Sequence, residues 1–105
     1  AGRIEIAHLL LEAKAEVNMK NDNGETALFH SVLNDHTELV RLLLHAKANA
    51  GAASQESGQT ALGLAAQGGR LEVVRLLVEG GAAINRQNTI EQTPLFLAAS
   101  HCHHE

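Results

Sequence analysis

The residues that first suggest chemistry are the last five, His101-Cys102-His103-His104-Glu105, all of them side-chain types that bind zinc. Neighbouring positions in a segment passing from helix to turn point in different directions. They converge on one ion only with help from a ligand group elsewhere, so no native metal site is expected, and no cofactor. Cys102 has histidines beside it, as an activated nucleophile would. The sequence supplies no oxyanion donors, no carboxylate held to orient a base and no evident pocket, so no catalytic residue is expected and the chain is read as a non-enzyme. Gly68-Gly69 and Gly80-Gly81 lack the strand-to-helix context and the Lys-Ser/Thr of phosphate loops, and read as turn glycines. Of the dispersed histidines, His30 is expected to be partly buried, and His8 and His45 solvated.

Composition narrows the remaining classes. The 105 residues carry a formal net charge of −4, and the eight Lys and Arg are scattered rather than clustered, which argues against nucleic acid or an anionic membrane as partner. With two Phe and no Trp or Tyr, there is no aromatic platform for stacking bases and no cage for a cation. The longest apolar runs, such as Leu95 to Ala99, fall far short of a membrane span, and no signal-peptide pattern appears. A single cysteine excludes an internal disulfide framework and fits a reducing compartment. The expected location is intracellular and cytoplasmic, with the nucleus as an alternative.

The elements that would position any site are written as a repeat. TALFHSV from Thr26, TALGLAA from Thr60 and TPLFLAA from Thr93 are one phrase at steps of 34 and 33 residues (60 − 26 and 93 − 60). IAHLLL from Ile6, LVRLLL from Leu39 and VVRLLV from Val73 keep the same beat. Self-similarity at this period means a stacked solenoid in which each unit buries its apolar face against its neighbours. Each Thr is a good N-cap for a short first helix, and Pro94 suits a first helical position. Breaks follow at Asn34-Asp35, Gly68-Gly69 and His101-Cys102. A second helix is predicted over 38–46 and 72–79, with Leu39, Val40, Leu42, Leu43 and Val73, Val74, Leu76, Leu77 on one face. Glu38/Arg41 and Glu72/Arg75 are exposed i,i+3 pairs, and Gly80-Gly81 closes the helix in a left-handed turn.

The copy GQTALGLAAQGGRLEVVRLLVEGGAAIN, from Gly58 to Asn85, resembles the ankyrin-repeat phrase G-x-T-P-L-H-x-A-A-x-x-G-H-L-E-V-V-x-L-L-L-x-x-G-A-x-x-N. The resemblance covers the whole chain. It implies an all-α solenoid of stacked antiparallel helix pairs with projecting hairpin fingers. Laid in register, the chain divides into a partial repeat 1–21 (second helix and finger), full repeats 22–54 and 55–88, and a partial repeat 89–105 (first helix). Both ends are thus expected to be cut within a repeat, leaving Ile6, Leu9 and Leu10 uncovered at one end and Leu95 and Leu97 at the other.

Departures from the family phrase matter. Phe29, Gly63 and Phe96 stand where the family often has His, which puts that residue's hydrogen bonds in question in all three copies. Lys14 and Lys47 replace the helix-closing Gly, and Gly51 replaces an Asn kept at Asn18 and Asn85. One extra residue lies between Ala50 and Ser57. His36 and His103 fall on the family's own His, which absorbs much of the C-terminal cluster into ordinary repeat positions. Asn18 and Asn85 also look like positions that asparaginyl hydroxylases modify in some ankyrin proteins.

By resemblance, binding belongs to the concave side: finger tips and the exposed face of each first helix. The residue before each Thr is a contact candidate, giving Glu25, Gln59 and Gln92. The fingers add Lys20, Asp22 and Asn23, then Ala53, Glu56 and Ser57, then Gln87, Thr89 and Ile90. The ends of the first helices add Leu33, Asn34, Gln67, Ser100 and His101. These positions vary among otherwise regular copies. The function so implied is a protein–protein interaction module that takes another protein or peptide segment, of polar or modestly basic surface. The other reading is a structural spacer or regulatory arm of a larger host protein, with no trans partner. Neither nucleic acid nor membrane is expected as partner, and self-association through uncapped terminal repeats is a further mode.

Overall fold

In a computed structural model, which describes residues 2–55 and 57–100, the described residues form six helices. They are α1 (Gly2–Glu12), α2 (Ala27–Leu33), α3 (Thr37–His45), α4 (Ala61–Gln67), α5 (Leu71–Glu79) and α6 (Pro94–Ser100). Contacts define two rows: α2, α4 and α6 pack in series, as do α1, α3 and α5, and α2–α3 and α4–α5 are the cross-pairs. Among the described residues there is no named strand, only an isolated antiparallel bridge between Ala53 and Thr60. This is the all-α solenoid that the repeat pattern implied.

The first helices have only seven residues each, too few to persist alone in water, so capping and packing hold them. Thr26 Oγ1 accepts from the Phe29 amide at 3.2 Å, Thr60 from Gly63 at 2.9 Å and Thr93 from Phe96 at 3.2 Å. Each such cap is worth about 1 kcal/mol. Leu28 and Leu62 then enter the core with Val40, Leu43, Val73 and Leu77, all nearly inaccessible to solvent. Gly63 is where α4 and α6 approach closely: a Cβ there would lie 3.2 Å from Leu97 Cδ1 and from Thr60 Oγ1. The His that the family often carries at this position does not fit without displacement.

The turns reveal what the sequence concealed. The helix ends share one closure, a pair of backbone bonds reaching back three and five residues. Examples are Lys47 N to Leu44 O with Ala48 N to Leu43 O, and Gly81 N to Val78 O with Ala82 N to Leu77 O. That closure places its last-but-one residue in the left-handed region. Gly81 meets the demand freely at φ 95°, whereas Lys14 and Lys47 adopt 72° and 74° in the same role. Asp35 does likewise after α2, at 59°, where the next repeat has Gly69.

Two expectations about exposure need correction or refinement. Leu97 is buried rather than uncovered, because α6 seats it against α4, over Gly63. Leu95 does stand 79% exposed, although its counterparts Leu28 and Leu62 are buried, and Phe96 stands exposed beside it. His30 has 46% of its side chain exposed and lies against Glu25, between the buried Phe29 and Ser31. Ile6, Leu9 and Leu10 are exposed as expected. On the outer helices, the expected Glu38–Arg41 and Glu72–Arg75 pairs form at 3.7 Å. Cross-repeat pairs that the periodicity did not reveal join them: Arg41 reaches Glu72 at 3.4 Å, and Arg70 pairs with Asp35.

Candidate functional site

Each finger is built on one residue that folds the tip over itself. In the first, Asn21 Oδ1 accepts from the amides of Asn23 (2.9 Å) and Glu25 (3.0 Å), while its backbone amide donates to the Glu25 carbonyl. In the third, Asn88 Oδ1 accepts from Ile90 (3.1 Å) and Gln92 (2.9 Å) in the same way. Asparagine suits this because its side chain imitates a backbone turn. The middle finger uses Ser54 at that place, and its turn is wider. The Gly58 amide returns to the Ser54 carbonyl across four residues, against three for Gly24 to Asn21 and Glu91 to Asn88. The extra residue of the longer finger therefore lies between Ser54 and Gly58. Adjacent tips are tied by Gln55 N to Asn23 O (3.2 Å) and Thr89 N to Ser57 O (3.0 Å).

The three residues before the capping threonines are half-buried and engaged. Glu25 Oε1 sits 2.7 Å from His30 Nε2 and 3.3 Å from Asn21 Nδ2. Asn88 Nδ2 donates to Gln59 Oε1 and to Gln92 Oε1, both at 3.0 Å, and Gln59 Nε2 donates to Gln67 Oε1 at 3.4 Å. Glu25, Gln59 and Gln92 thus brace the fingers from within. The more open candidates are Lys20, Asp22, Asn23, Ser57, Gln87, Thr89 and Ile90 on the fingers, with Ala53 half-covered below them. Gln87 Nε2 and Ser57 Oγ bond within their own fingers, to Glu91 O at 3.3 Å and from Gln59 N at 3.2 Å.

Leu33, Asn34, Gln67 and Ser100 are exposed at the far ends of the first helices, about 10 Å from the caps at ~1.5 Å per residue. Gln67 is nonetheless tied back to the finger side, its Oε1 accepting from Gln59 Nε2 at 3.4 Å. Asn34 is also the C-cap of α2. Glu56 and His101 lie outside the described residues, as do Cys102 and the rest of the C-terminal cluster.

Sequence reasoning did not name Asn21, Asn88 and Arg86 as functional, and took His30 only as a partly buried residue. The two asparagines carried a signal, an Asn five residues before the capping Thr in two of three copies. Arg86 had none: Met19 and Ala52 occupy its place in the other fingers, and its Nη1 donates across to the Gly51 carbonyl at 3.2 Å. Asn18 Oδ1 accepts from the Asn49 amide at 2.7 Å, a strut that Gly51 has no side chain to repeat.

Helix pairs in two rows, capped by Thr and fringed by tied fingers, define the ankyrin class. The ankyrin-repeat family model matches residues 1–88 and 47–105, with three copies, and the chain belongs to that family. Ankyrin repeats serve generally as protein–protein interaction modules, and the repeat domain is non-catalytic. The chain is 44% identical over 77 residues to a probable E3 ubiquitin-protein ligase, XBOS33, of Oryza sativa subsp. japonica, covering 73% of this chain and 15% of that protein. It is 35% identical over 97 residues to the E3 ubiquitin-protein ligase XBAT33 of Arabidopsis thaliana, covering 92% and 19%. It is 39% identical over 93 residues to a B-cell lymphoma 3 protein homolog of Mus musculus, covering 88% and 20%. The chain spans a fifth or less of each of these relatives, so the ligase names describe proteins far longer than the matched segment. Among the described residues no helix is long and apolar enough to cross a membrane, and no three His, Cys, Asp or Glu side chains are grouped to hold a metal.

Proposed function

We propose that the chain is the interaction segment of a larger protein, taking another protein or a peptide along its fingers and the exposed ends of its first helices, and that it catalyses nothing itself. The observation that carries this reading is where variation falls. Positions fixed by packing repeat closely: Thr26, Thr60 and Thr93; Leu28 and Leu62; Leu43 and Leu77. Finger and helix-end positions vary: Lys20 and Gln87, with half-covered Ala53, share one place, and the exposed Leu33, Gln67 and Ser100 another. A scaffold held constant with its surface left free is what a binding array requires. The cytoplasm fits this reading, as neither nucleic acid nor membrane is needed for it.

The test uses substitutions at exposed positions, with Gln67→Ala giving up a 3.4 Å bond to Gln59. Leu33→Ser, Gln67→Ala and Ile90→Ser together should leave the melting temperature within a few degrees and abolish capture of a partner by the intact chain. Undiminished capture would remove the strip as the site. The rival reading, a spacer or regulatory arm with no trans partner, draws on the small share of each relative that the chain spans. It would be favoured if the host protein's own activity changed on deleting the segment while no partner was captured. Self-association through the exposed apolar ends is checked by sedimentation of the free chain across concentration.

A further inference from the structure

Two of the basic residues, Lys20 in the first finger and Arg86 in the third, flank the middle finger, where Ala52 and Ala53 present only methyl groups. Both line two hollows: one of about 150 Å³ shared with Asn18, Asn49 and Gly51, and a shallower one of about 400 Å³ near Gln55. Among the described residues neither cation forms an ion pair, and no Asp or Glu lines either hollow. Arg41, Arg70 and Arg75, by contrast, are all matched to carboxylates on the outer helices. Arg86 is held across the middle finger by its bond to the Gly51 carbonyl, which occupies one of its five N–H groups.

The polar lining points the same way. Asn18 Oδ1 is taken by the Asn49 amide at 2.7 Å, and Asn49 Oδ1 by the Gly51 amide at 2.9 Å. Backbone N–H donors fix the amide orientation of both side chains and occupy one lone pair of each oxygen, so the fully free groups are the two NH₂ donors. Thr26 Oγ1 is likewise engaged by the Phe29 amide. A small hollow with two fixed-sign charges and mostly donors left over calls for an acceptor-only group. Its volume is roughly five times the ~30 Å³ share of one water, enough for a single acidic side chain.

We infer that the Lys20–Arg86 hollow receives an Asp or Glu side chain from an acidic peptide segment of the partner. The inference rests on the fingers being a partner-binding surface, and it gives that surface a chemistry. It differs from the polar or modestly basic partner expected from the candidate strip, because the described finger carboxylates Asp22, Glu25 and Glu91 lie outside the hollow. The net charge of −4 opposes an acidic peptide only at long range and is screened beyond ~8 Å at physiological ionic strength.

The probe is a short capped peptide of alternating Glu and Ser, titrated into the isotope-labelled chain at physiological salt, with its Gln–Ser counterpart as control. The amides of Gly51, Ala52 and Ala53 should shift saturably with the Glu peptide alone. Arg86→Gln should weaken binding roughly tenfold, and Ala53→Glu, which plants a competing carboxylate, should abolish it. Equal shifts with the Gln peptide, equal shifts with acetate alone, or unchanged binding by Ala53→Glu would each overturn the inference. If the Leu33/Gln67/Ile90 variant loses a captured partner while Arg86→Gln and Ala53→Glu retain it, the hollow fails and the interaction function stands.

Discussion

At the scale of single residues, the sharpest tension lies in the left-handed turns. Lys47 pays for its place in the helix closure with a side chain clashing against its own backbone, at about 1–2 kcal/mol for a non-glycine residue. Glycine removes that clash but costs about 0.5–1 kcal/mol in unfolded-state entropy. Lys47→Gly should therefore stabilise modestly, by up to ~1 kcal/mol, read as a rise in the urea midpoint at unchanged slope. Gly81→Ala is the mirror experiment. No atom lies within 4 Å of a Cβ built there, so any loss reports backbone conformation alone and should be about 1 kcal/mol. Equal stability of the wild type and Gly81→Ala would show that the strain of a side chain in these turns is no larger than the ~0.5–1 kcal/mol of unfolded-state entropy that losing glycine returns. The sequence marked Lys14 and Lys47 as departures from the family phrase. It could not show that the turn keeps its conformation when the glycine is lost, because that is decided by the backbone bonds on either side of it.

At the scale of elements, helices were legible and fingers were not. Thr26, Thr60 and Thr93 announce helix starts through local chemistry, and the apolar spacing of Leu39 to Leu43 gives a face, so both could be read without neighbours. Leu97 could not, since its burial depends on Gly63 of the preceding repeat leaving room for it. The bond from Asn88 to Gln59 joins residues 29 apart in sequence and has no periodic signature, unlike the bond to Gln92, which Asn21 repeats toward Glu25. Asn88→Ala removes the acceptor of two backbone amides and the donor to two glutamines in a part-buried site. It should cost about 1–3 kcal/mol and weaken the third finger. Asn88→Asp keeps the acceptor and loses the donor, so it should fall between. Asn21→Ala, whose bonds are exposed, should cost less than Asn88→Ala by chemical denaturation. The reverse order would show that the third finger is not braced through Asn88.

For the whole molecule, stability should vary along the stack, because a solenoid sums unit and neighbour terms and lacks one central core. α4 packs against α2, α5 and α6 and contributes the buried Ala61, Leu62 and Ala65. α1 has α3 as its main support and leaves Ile6, Leu9 and Leu10 exposed. Amide hydrogen exchange should accordingly be slowest in α4 and its partner α5, and fastest in α1, with α6 between them because among the described residues it packs mainly against α4. Local opening energies in a fold span from near zero to the global value, so the gradient should be measurable in one experiment. Leu62→Ala, a buried truncation of the 2–5 kcal/mol kind, should then loosen both halves together. Leu9→Ala, at an exposed position, should leave α4 protection untouched. Uniform protection from α1 to α6 would mean instead that the stack opens as a single cooperative unit. Cross-repeat ties such as Arg41–Glu72 and Thr89 N to Ser57 O would then couple neighbouring repeats more tightly than packing alone requires.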